Sequence, residues 1–135
     1  MKFVLDTNII LKALIRDSVV RGILAGPKHQ FLIPELAVEE IRKHSRLIEE
    51  KSGLTEAEVD GVLRVALSNV RLVPASDVLS RWKEAEEIMA PIDRNDTAFL
   101  AAAMSAPCDG IWSDDAHLKR QSKVKVWTTK DVVRL

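Results

Sequence analysis

Five short β-rich runs separated by longer helical patterns predict a three-layer α/β/α sandwich around a central, mainly parallel five-stranded sheet. Two further observations support that class: the first run is apolar at consecutive positions, and the boundaries between elements carry helix-capping chemistry. The runs cover residues 2–5, 30–33, 70–73, 110–112 and 124–127, with helices expected over 8–25, 35–51, 56–68, 77–89 and 94–105. Phe3-Val4-Leu5 has no polar alternation, as expected of a strand buried on both faces. Ile9-Ile10-Leu11-Lys12-Ala13-Leu14 then reads as an amphipathic helix entered through Thr7-Asn8. Gly53 ends the helix that begins at Glu35, and Thr55-Glu56-Ala57-Glu58 forms a capping box for the next. After Pro91, Asp93 is placed to cap a helix whose residues 98–104 are apolar all round and therefore buried. Thr128 and Asp131 box the last helix.

The chain has 135 residues, which favours one domain over residues 1–135 built on a single core. Its 47% hydrophobic and 30% charged residues are a globular balance. Twenty Lys and Arg offset twenty Asp and Glu, so no global basic field draws it to nucleic acid, and any polyanion must meet a local patch. Cys108 is the one cysteine, which excludes an intramolecular disulfide and Cys-rich zinc ligation and fits a reducing cytoplasm. The first apolar run reaches a carboxylate at Asp6, too soon for a signal peptide, and the uncharged stretch 97–108 is too short to span a membrane. A soluble protein is expected.

Open α/β sheets bind ligands beyond the carboxyl ends of their strands, and acids fall there at two places. Asp6 directly follows the first run, and Ser113-Asp114-Asp115 follows the fourth. Helix capping is the plain alternative at both places. Two more acids fall on helix faces that should be apolar. Glu40 lies in the arc of Leu36, Ala37, Val38, Ile41, Leu47 and Ile48 with His44 one turn on, whereas Glu39 sits on the polar face with Lys43 four residues on. Asp96 lies under Phe99, Leu100 and Ala103, beside Asp93, which is read as a cap. Carboxylates gathered without basic partners either take up protons or bind a hard cation. Magnesium or manganese held by a few carboxylates is the usual apparatus of phosphodiester hydrolysis. No Gly-rich phosphate loop, His-Glu-x-x-His run or nucleophile elbow offers a competing chemistry.

Val4-Leu5-Asp6-Thr7-Asn8, Glu39-Glu40-Ile41, Asp96-Thr97-Ala98-Phe99-Leu100-Ala101 and Ser113-Asp114-Asp115, in that order and spacing, resemble the motifs of PIN domains. These are small metal-dependent nucleases that include the VapC toxins of toxin–antitoxin pairs. The resemblance spans nearly the whole chain and implies a PIN-like fold and a magnesium- or manganese-dependent ribonuclease. It implies Asp6, Glu40, Asp96 and Asp115 as the catalytic, metal-binding quartet, with Asn8 and Ser113 as hydrogen-bonding support. Asp114, beside Asp115, is a further candidate ligand. An RNA substrate, an antitoxin partner and a homodimer are implied as well. For the dimer, Ile9, Ile10, Leu11, Leu14 and Ile15 offer a nearly continuous apolar surface, although core packing explains the same pattern. Lys119 and Arg120, in an acid-free segment from Ala116 to Lys130 that also holds Lys123, Lys125 and Lys130, are expected to meet the RNA backbone, with Lys12 and Arg16 as the opposite bank. The competing reading within the fold is a non-catalytic PIN-like module that binds RNA or protein. A phosphate-accepting receiver domain fits less well, because Val73-Pro74-Ala75 stands where its acceptor Asp belongs.

Overall fold

A computed structural model describes residues 1–15 and 18–135. Strands β1 (Lys2–Leu5), β2 (Gln30–Pro34), β3 (Val70–Val73), β4 (Gly110–Trp112) and β5 (Val126–Trp127) form one sheet in the order β3-β2-β1-β4-β5. Every pairing is parallel. The expected three-layer α/β/α class is the one observed. β1 lies in the middle, with Val4 in register with Leu32 on one side and Ile111 on the other.

The unbroken apolar character of β1 follows from this position. Phe3 and Leu5 face one core with Phe31, Ile33 and Trp112, while Val4 faces a second with Leu32 and Ile111. The first core is covered by α1 (Thr7–Ile15), α2 (Ser18–Ala25), α3 (Glu35–Lys43), α4 (Ser45–Ser52) and α5 (Glu56–Leu67). The second is covered by α6 (Ala75–Ser80), α7 (Trp82–Met89) and α8 (Thr97–Ser105). α9 (Thr129–Val133) closes the chain behind the Thr128–Asp131 capping box. Ile9, Ile10 and Leu14 are fully buried, and Leu11 and Ile15 pack against the same core. The apolar face of α1 is thus consumed inside the protein, which corrects its reading as a surface for a second copy.

Three helical expectations were too long. The stretch over 35–51 breaks at His44, whose N–H is shared between the carbonyls of Glu40 and Ile41, and α4 restarts from the His44 carbonyl. The stretch over 77–89 starts two residues earlier and breaks at Arg81. The stretch over 94–105 begins as a single 3₁₀ turn, Arg94–Asp96, before α8. β5 is shorter than its apolar run because the buried Gln121 amide binds both the N–H and the C=O of Val124, diverting that residue from the ladder.

At the start of β4, Gly110 has φ +141°, and a Cβ there would lie 2.3 Å from the Lys125 carbonyl oxygen. Only glycine lets β5 approach so closely. No helix of the described residues is long and apolar enough to cross a membrane.

Candidate metal centre

Asp6 is the first residue past β1, and its N–H donates to the Trp112 carbonyl (3.1 Å), which extends the β1–β4 ladder by one bond. Its carboxylate is buried and accepts a 2.7 Å hydrogen bond from Ser113 Oγ. Burial pushes the Asp6 carboxyl above the usual range, opposed by Ser113 and by the backbone N–H groups of Asn8 and Thr7, while Asp115 adds repulsion. Ser113 is itself fully buried, pinned by its N–H to the Trp127 carbonyl (3.0 Å). The same hydroxyl that donates to Asp6 accepts from the Asp115 N–H (2.9 Å). One side chain therefore ties together the ends of the two central strands. Asn8 contributes through its backbone, with its side chain exposed.

Asp96 closes the cluster from below α8. It is 6% exposed, and its Oδ2 is buried without a hydrogen-bond partner. Burial first, then the charges of Asp6, Asp115 and Asp93, push its carboxyl up to about 7, with His117 pulling the other way. Asp93 performs the expected capping, accepting from the Asn95 N–H (3.0 Å). Its second oxygen lies 3.1 Å from His117 Nδ1. The structure thus brings together Asp6, Asp96 and Asp115 from the predicted set and adds Asp93 and His117. Only the position of His117 two residues past Asp115 hinted at it in the sequence; Asp93 was hidden behind its role as a cap.

The remaining predicted residues fare differently. Glu40 and Leu36 (41%) are exposed on α3 and Leu47 (42%) on α4, so the arc that was to bury Glu40 is corrected to Ala37 and Ile41 on α3 and Ile48 on α4. Burial does not separate Glu40 from the equally exposed Glu39, and Glu40 is not among the groups that raise Asp6 or Asp96. Asp114 turns away: Oδ1 accepts from the Thr129 N–H (2.7 Å), and Oδ2 binds Lys12 Nζ (2.7 Å) and Thr129 Oγ1 (2.6 Å). Burial raises its carboxyl, but these three hydrogen bonds from Lys12 and Thr129 outweigh that and hold it below the usual range. Lys12 is correspondingly committed to Asp114. Arg16 lies outside the described residues. Lys119 and Arg120 are exposed on a 3₁₀ turn, whereas Lys123 pairs with Glu84 (3.3 Å) and Lys125 lies over the Trp127 ring.

A buried carboxylate whose Oδ2 has no hydrogen-bond partner, crowded by two other carboxylates, has the donor set of a site for a hard divalent ion. Asp6, Asp96 and Asp115 fit that group.

The sequence matches the model of a family described as PIN domain over residues 4–134. A search of curated proteins returns no match. Among solved structures, the chain is similar to one from the crystal structure of VapBC2 from Rickettsia felis bound to a DNA fragment from their promoter. The TM-score is 0.74 at 14% identity, over 95% of this chain and 98% of that one.

Proposed function

This chain belongs to the PIN domain family, and from that premise we propose that it is a magnesium- or manganese-dependent ribonuclease that hydrolyses phosphodiester bonds endonucleolytically. The observation that carries the reading is the buried Asp96 carboxylate, without a partner on Oδ2 and crowded by Asp6 and Asp115. Asp6, Asp96 and Asp115 would hold the ion, and Glu40 joins them on the strength of its motif in the family. A bound divalent ion lowers the pKa of an attacking water and offsets phosphate charge. The protein's own contribution is positional. Ser113 fixes the Asp6 carboxylate and the Asp115 backbone at once, and the ladder bond from Asp6 to Trp112 sets their spacing.

RNA approaches along Lys119 and Arg120, whose charges face solvent close in sequence to Asp115. The likeness to a chain of VapBC2 supports a toxin role with an antitoxin partner, and the resemblance to PIN domains implies a homodimer. A lone half-buried Cys108 suits the cytoplasm.

RNA cleavage with magnesium or manganese, and its loss in EDTA, tests the activity. Asp6→Asn and Asp96→Asn should each lower the rate by orders of magnitude with an unchanged circular dichroism spectrum. Glu40→Gln should impair cleavage while Glu39→Gln leaves it near wild type; equal effects would remove Glu40 from the ligand set. RNA binding that persists without cleavage under every metal tried would instead favour a non-catalytic module. Light scattering tests the dimer.

A further inference from the structure

Asp93, Asp96 and His117 each place one ligand-type atom within 4.8 Å of the other two. This corner flanks the Asp6–Ser113–Asp115 linkage and shares only Asp96 with the proposed nuclease ligands. Three features distinguish it from a solvated acidic patch. Asp96 is 6% exposed and its Oδ2 has no partner. Asp93 Oδ2 and His117 Nδ1 are 3.1 Å apart, close to the roughly 3 Å between neighbouring ligand atoms around an octahedral ion with ~2.1 Å bonds. Both flanking groups are also tethered: Asp93 Oδ1 accepts from the Asn95 N–H (3.0 Å), and Asp115 Oδ1 accepts from the His117 N–H (2.9 Å).

We infer that Asp93, Asp96 and His117 form a cation position with mixed oxygen and nitrogen donors, which selects a first-row transition ion over magnesium. Magnesium prefers oxygen and dehydrates reluctantly, whereas an imidazole nitrogen is a good donor to transition ions. Manganese binds most weakly of that series yet is paramagnetic, so nitrogen coupling to bound manganese is the direct sign of the imidazole donor. The assignment rests on the nuclease reading only through Asp96, and ion binding needs no RNA. If Asp93 and His117 merely tether two loops by a hydrogen bond, no nitrogen will reach the metal.

The test is manganese binding to chelator-stripped full-length protein, followed by electron paramagnetic resonance. Pulsed spectra of the wild type should carry nitrogen hyperfine coupling from a directly bound imidazole. His117→Ala should abolish it, and His29→Ala, at the amino ends of β1 and β2 away from the acidic cluster, should retain it. His117 is half exposed, so its replacement leaves the core untouched. The magnesium concentration that displaces bound manganese should fall by about tenfold or more in His117→Ala and in Asp93→Asn. Absence of nitrogen coupling in the wild type, its persistence in His117→Ala, or unchanged displacement overturns the assignment. RNA cleavage measured on the same samples separates the two readings: coupling without cleavage removes the nuclease and keeps this site, and cleavage without coupling does the reverse.

Discussion

Asp96 has a stability cost that pH exposes. In metal-free protein its carboxyl titrates near 7 when folded and near the ordinary 3.8 when unfolded. The folded state therefore holds the proton more tightly, and stability falls as pH rises from about 4 to about 7, then levels off. Asp96→Asn should raise the melting temperature in chelator at about pH 8 and do so progressively less toward about pH 4. An equal gain at both ends would mean that charge is not the cause. Added magnesium or manganese should raise the wild-type melting temperature at about pH 8 by linkage, and raise that of Asp96→Asn less. Ser113→Ala removes a buried hydroxyl that serves two loops and strands Asp6 Oδ2, which should cost about 1–3 kcal/mol in denaturant melts. Asp6 was legible in the sequence because an acid ends an apolar strand. His117 was not, because a single half-exposed histidine has no pattern until the fold sets Asp93 against it.

At the scale of elements, the inner strands were readable because a parallel sheet covered on both faces demands apolar runs, and β1, β2 and β4 supply them. The helix breaks at His44 and Arg81 were not, since neither carries a Gly or Pro at the break. Glu40 was misplaced by a rotation of one residue rather than by the break: Leu36 and Glu40 share an exposed face of α3, while Ala37 and Ile41, one position on from each, face the core. Gly110 is where a single change should disturb an element most. Gly110→Ala forces a Cβ against the Lys125 carbonyl at a positive φ and should destabilise by on the order of 3 kcal/mol, with loss of amide protection in β5 before β1. Thr55→Ala, by contrast, removes an exposed capping box from α5 and should cost about 1 kcal/mol without touching cleavage.

For the whole molecule, charge is balanced in number but not in place. Lys119 and Arg120 extend into solvent while Lys12, Lys123 and Lys125 are engaged by Asp114, Glu84 and Trp127. Reversing Lys119 and Arg120 to Glu in metal-bound protein should weaken RNA binding and flatten its salt dependence by about one slope unit per lost phosphate contact. An unchanged slope would move the track elsewhere. The placement of β1 between β2 and β4 has a consequence for the chain as it is made. Asp6 is made well before the hydroxyl that orients it and the acid that faces it, since Ser113 and Asp115 are reached only after the entire α6–α8 layer has been synthesised. Until β4 slots in beside β1, the nascent polypeptide holds Asp6 and Asp96 without the Ser113 tie that sets Asp6 against Asp115, so the acidic cluster forms only once β4 is in place.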